Sequence, residues 1–76
     1  MFLEVTEAKY LRDYKLLLLF NNGISKTVDL KNELQGEIFQ PLLNQEYFKN
    51  FKIKFNTVEW ENGADFAPEY LFDIGH

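Results

Sequence analysis

The apolar positions of this chain change period twice, and the changes mark out its elements. Residues 2–10 mix β-formers and aromatics with polar residues and predict a first strand, followed by a tight connection at Arg12-Asp13. Residues 14–20 predict a second strand in which Leu16 and Leu18 fall on one side and Leu17 and Leu19 on the other. A strand apolar on both faces is normally covered on both, so the second cover is either the chain's own helices or a partner chain. Asn21-Asn22-Gly23 then predicts a hairpin, since Asn-Gly tolerates the positive φ angles of a type I′ turn. Residues 24–30 predict the returning strand, with Ile24, Val28 and Leu30 on one face and Ser25, Thr27 and Asp29 on the other.

Between 31 and 50 the period becomes helical. Phe39, Leu42, Leu43, Tyr47 and Phe48 recur at spacings of three to four residues, a core-packing stripe. Gly36 and Pro41 interrupt it, and proline is tolerated only in a helix's first turn. The expectation is two short helices, about 31–35 and 38–50, the second broken near Asn44, a candidate N-cap.

Alternation returns over 51–60. Phe51, Ile53 and Phe55 are expected to face inward and Lys52 and Lys54 outward. Val58 and Trp60 have the opposite parity, which requires a bulge or turn at Asn56-Thr57. Glu61-Asn62-Gly63 predicts a second Asn-Gly turn, and residues 64–66 a short returning strand. Pro68 suits the first position of a closing helix, Glu69 is favourable near its N-terminus, and Gly75 suits its stop. Phe20 to Gly23 and Trp60 to Gly63 repeat one another: each places an aromatic three residues before a turn glycine. Repeated turn chemistry accounts for that echo more simply than an internal duplication. The pattern as a whole predicts an α+β fold, one small domain over residues 1–76 built of antiparallel hairpins with two or three short helices.

Composition narrows the function more than the fold. The chain has 76 residues, 46% hydrophobic and 26% charged, an ordinary globular balance. Thirteen aromatics supply much of the apolar area so short a chain needs. With no cysteine there is no disulfide framework, which together with the lack of a signal-peptide pattern at Met1-Phe2-Leu3-Glu4 gives the expectation of a cytoplasmic protein. The longest apolar run, Leu16 to Phe20, is far below the roughly 20 residues of a membrane helix, so no membrane association is expected. Charge is uneven. Formal net charge is −4, but residues 55–76 carry Glu59, Glu61, Asp65, Glu69 and Asp73 with no lysine or arginine. That acidic third is either a solvated surface or a docking face for a basic partner. The only local basic cluster is Lys49, Lys52 and Lys54, too small for a general nucleic-acid binder.

Catalytic groupings are scarce. The single histidine, His76, is the last residue of the sequence, a poor position for a base that must be held in geometry. The four glycines are isolated turn residues, not a phosphate loop. No metal-ligand spacing occurs, and Glu59, Glu61 and Asp65 lack the calcium-loop pattern. The expectation is a non-enzyme without cofactor or metal. Trp60 has two readings, a core aromatic on the sheet or an interface anchor. Asp65 reads as a turn or helix-start cap, or as part of a docking face.

The stretch from Thr57 to Leu71 resembles the signature of a small bacterial family, domain of unknown function 2442. Its features are an aromatic, here Trp60, then Asn62-Gly63, Asp65, an apolar residue, and Pro68-Glu69 before Leu71. Tyr14 to Phe20, Asn22-Gly23 and Val28-Asp29-Leu30 resemble the family's hairpin ending in Asp-Leu, and Pro41-Leu42 and Phe48 sit at matching places. The resemblance implies a small α+β domain with antiparallel sheet. It supplies no catalytic residues. Some relatives carry a C-terminal helix-turn-helix that has no counterpart here, so DNA binding is not implied. Relatives are often encoded beside another small protein, in a layout like a toxin–antitoxin pair. That implies a binding partner and an antitoxin-like or regulatory role, and the acidic third would fit a small basic partner by charge complementarity. The candidate interaction surface is Trp60, Glu59, Glu61, Asn62, Asp65 and Glu69. The alternatives are a nucleic-acid-associated regulator using the lysine stripe and a self-associating domain, a homodimer, using Leu16 to Leu19.

Overall fold

The computed structural model describes residues 2–76. Three antiparallel strands, β1 (Val5–Arg12), β2 (Lys15–Phe20) and β3 (Ser25–Asp29), form a sheet in the order β1-β2-β3. Two 3₁₀ segments follow, Lys31–Glu33 and Glu37–Leu43, then a one-turn helix α1 (Gln45–Phe48). A small hairpin of β4 (Lys52–Lys54) and β5 (Thr57–Glu59) precedes the closing helix α2 (Pro68–Ile74). The expected α+β architecture of hairpins and short helices is therefore the observed one.

The turns differ from expectation in an instructive way. Neither Asn-Gly turn is type I′: of the turn residues only Gly23 (φ 82°) and Gly63 (φ 89°) have positive φ. Each aromatic accepts from the glycine N–H, at 3.0 Å for Phe20 and 2.9 Å for Trp60. It also donates to the residue beyond the glycine, Ile24 or Ala64, at 2.9 Å in both cases. These are three-residue loops with glycine in the left-handed position. Asn22 and Asn62 brace them alike, accepting from the N–H groups of Ile24 at 3.0 Å and Ala64 at 3.1 Å. The echo in the sequence is one turn used twice.

Positive φ at both central residues occurs instead at Asp13-Tyr14 (49°, 66°) and Phe55-Asn56 (52°, 69°), neither containing glycine. The first joins β1 to β2 one residue later than Arg12-Asp13. The second lies one residue before the expected break at Asn56-Thr57.

The core packs against one face of the three-stranded sheet. Leu16, Leu18, Phe20, Val28 and Leu30 meet Leu34, Leu42, Phe48, Val58, Trp60 and Leu71, all essentially buried. Leu17 (39% exposed) and half-buried Leu19 occupy the other face, which the described residues leave open. Ile53 (41% exposed) and Phe55 (82% exposed) are not core residues, contrary to the alternation: Ile53 shares the face of its buried partner Val58 but stays partly open, and Phe55 falls in the turn between β4 and β5. Leu43 and Ile24 are also exposed rather than inward.

The helical stretch is shorter than its periodicity predicts. Pro41 lies within a 3₁₀ segment, and the one true helix before α2 starts after Asn44. Asn44 caps it as expected, accepting from Glu46 N–H at 2.9 Å and Tyr47 N–H at 3.3 Å. Pro68 opens α2, also as expected. Gly75 ends it at an ordinary φ of −75°, so its role is close approach and not left-handed backbone. A Cβ there would lie 2.8 Å from the Lys26 Cβ. Lys26 in turn donates to the Phe72 carbonyl at 2.9 Å and lies over the Phe72 ring. Beyond it, His76 exchanges backbone hydrogen bonds with Thr27 on the edge of β3. Among the described residues no helix is long and apolar enough to cross a membrane.

Candidate interaction surface

Trp60 leads out of β5 into the core rather than to the surface. It is 1% exposed and packs among Phe48, Phe51 and Phe66 in tilted and edge-on contacts, with ring centroids 5.4, 6.4 and 6.1 Å away. Its indole N–H donates to the Phe48 carbonyl at 2.8 Å. The carbonyl at the end of α1 has no partner within the helix, and Trp60 satisfies it from outside. Trp60 is thus removed from the candidate surface. Asn62 is exposed but its amide is committed to the fold: it donates to the Ile38 carbonyl at 2.7 Å while bracing its own turn.

Glu59 is half-buried, pairs across the strands with Lys52, and lies 4.0 Å from the Lys54 ammonium. Glu61 lies in the same neighbourhood. A cleft of about 500 Å³ is lined by Lys49, Lys52 and Lys54 together with Glu59 and Glu61, over Phe51. The structure therefore interleaves the lysine stripe with two of the acids expected to dock a basic partner. Mixed charge of this kind gives neither an acidic face nor a phosphate-binding one.

None of the remaining acids lines that cleft. Asp65 is exposed, bridges to Glu59 through the backbone only, and does not cap α2, whose N-cap is Ala67 with no side-chain hydrogen bond. The capping expectation for Asp65 is corrected on that ground. Glu69 sits exposed in the first turn of α2, where the helix dipole favours it, and Asp73 is exposed in the last. Ion pairs among the described residues tie Lys49 to Glu46 and Lys54 to Glu59, and none involves Asp65, Glu69 or Asp73.

Two contributors escape sequence reasoning. Phe39, Phe66 and Tyr70 stack in succession, with centroids 5.0 and 6.2 Å apart and rings within 16° and 13° of parallel. Tyr70, 42% exposed, is the outer member of the stack. Its hydroxyl donates to the Glu33 carboxylate, 37 residues away. That hydrogen bond, followed by burial and the charges of Glu33 and Asp73, raises the Tyr70 phenol above its ordinary value of 10.0. No local signal announces Glu33, because the pairing depends on how the first 3₁₀ segment meets α2.

No group of three or more His, Cys, Asp or Glu side chains able to hold a metal ion occurs among the described residues. Compared with known proteins, residues 5–76 match the family described as a protein of unknown function (DUF2442), and the chain belongs to that family. No curated protein matches the chain, and no solved structure does.

Proposed function

We propose that this family member is a non-catalytic protein-binding module that docks a small basic protein on an acidic, tyrosine-centred surface of α2. The observation that carries the reading is Tyr70: an exposed ring supported from below by Phe66, beside Glu33 and Asp73, in a segment without lysine or arginine. Tyrosine is a frequent anchor of protein interfaces because it is large, rigid and amphipathic. Acids around it steer and orient a partner of opposite charge. A protein partner also agrees with the antitoxin-like role that the sequence resemblance implies, and the acidic segment favours a basic one.

The test is affinity capture from the source cells with three baits: the natural chain, Tyr70→Ala, and Asp65→Lys/Glu69→Lys/Asp73→Lys. The expected result is a near-stoichiometric small basic protein on the natural bait that is lost from both variants. Equal recovery on all three baits, or recovery of the bait alone at physiological salt, overturns the reading.

A further inference from the structure

The sheet face turned away from the core carries a pattern that is complementary to itself. Strand register fixes three rows on it, an outer one of Arg12, Lys15 and Asp29 and two adjacent ones that carry the pattern. One row runs Glu7, Leu19, Ser25 across β1, β2 and β3; the next runs Lys9, Leu17, Thr27. Leu17 is 39% exposed, and a shallow groove lies over the face between Glu7, Lys9, Leu17 and Leu19. Each of these two rows thus has a leucine at its centre, a small hydroxyl residue on β3, and a charge on β1, negative in one row and positive in the next.

We propose that this face binds a second copy of the chain, face to face about a twofold axis. The axis would lie in the interface, perpendicular to the strands, between the two rows. Rotation about it leaves each strand over its own counterpart and reverses the strand direction. The Glu7 row of one copy then meets the Lys9 row of the other. Leu19 packs on the second copy's Leu17, and Glu7 faces its Lys9, twice by symmetry. An isologous interface requires this self-complementarity, and two sheets stacked at ~10 Å commonly pack nearly aligned. A surface of one charge sign would repel its own copy; this one pairs every charge in the two rows.

The size of the face sets the strength. Five paired rows at about 3.4 Å and three strands at about 4.8 Å give a footprint on the order of 240 Å² per copy. That is below the area of stable complexes, so the dimer is weak and reversible. Nothing here depends on the acidic surface of α2, so each proposal survives the failure of the other.

Sedimentation equilibrium from micromolar to millimolar concentration in low salt tests it, on the natural chain, Leu17→Glu, Glu7→Lys, Lys9→Glu and the double swap Glu7→Lys/Lys9→Glu. All the substituted positions are exposed, and far-UV circular dichroism checks folding. The natural chain should move from 9.1 kDa toward twice that mass as concentration rises. Either single reversal, which sets like charges against each other, should weaken association about tenfold or more, and the double swap should restore it. Leu17→Glu should abolish it. A natural chain that stays at the monomer mass throughout overturns the proposal. So does a dimer indifferent to Leu17→Glu, or a double swap no better than the single reversals.

Discussion

The Trp60 indole N–H donates to the carbonyl of Phe48, the last residue of α1, and both residues are fully buried. One side chain therefore ties the end of α1 to the β4–β5 hairpin that lies between them in sequence. Trp60→Phe keeps an aromatic ring but leaves that carbonyl buried without a partner. Chemical denaturation should show a loss of about 1–3 kcal/mol, most of it from the orphaned carbonyl. A loss under about 0.5 kcal/mol would mean that water or a relaxed backbone replaces the bond.

Phe55 and Asn56 hold positive φ with no glycine between them, and Phe55 gains no burial in return. Replacing the pair by Asn-Gly supplies the residues this turn type favours. The variant Phe55→Asn/Asn56→Gly should be more stable by roughly 0.5–2 kcal/mol, measured as a shift of the denaturation midpoint at constant slope. The Asn56 carbonyl, which accepts from Val5 N–H at 2.8 Å, is a backbone group and remains available.

Gly75→Ala puts a methyl group against Lys26 Cβ and the Leu71 carbonyl although the backbone angle there is ordinary. The expected cost is about 1–3 kcal/mol, and it should appear as faster hydrogen exchange at the Thr27 and His76 amides, which pair just beyond. A neutral substitution would show that Lys26 yields freely.

How much of this was legible in the sequence depended on how local the cause was. Asn44 and Pro68 act within a few residues of themselves, and both were readable as helix starts. The two Asn-Gly loops were readable as turns but not by type, because the glycine alone, and not the asparagine, takes the left-handed position. Asp13-Tyr14 and Phe55-Asn56 have no favourable local chemistry and were placed only approximately. Alternation over 51–55 identified a strand but not its end: Ile53 shares the face of buried Val58, whereas Phe55 already lies in the turn, and how far the core covers that face depends on the rest of the chain. On the candidate surface, Glu61, Asp65 and Glu69 are exposed, whereas Trp60 is buried and Glu59 half-buried beside Lys54. Tyr70 with Glu33 emerged only from the fold.

Tyr70 supplies a pH signature. Its phenol is raised above 10.0, chiefly by donating to the Glu33 carboxylate. The folded state therefore holds this proton more tightly than the unfolded chain does. The associated stabilisation is fully present below pH 10 and is lost as pH rises through the folded value. Ultraviolet titration should show Tyr70 ionising later than an ordinary phenol, and Glu33→Gln should return it toward 10. A titration unchanged by Glu33→Gln would place the cause elsewhere.

In the proposed function a basic protein docks on the acidic surface of α2 at Tyr70. The most direct measurement is the affinity of the captured partner for the natural chain and for Asp65→Lys/Glu69→Lys/Asp73→Lys, each at low and physiological salt. Tenfold or greater weakening is expected in the variant at low salt, with a gap that narrows as salt rises and with folding unchanged. Equal affinity for the two chains at both salt concentrations would contradict it.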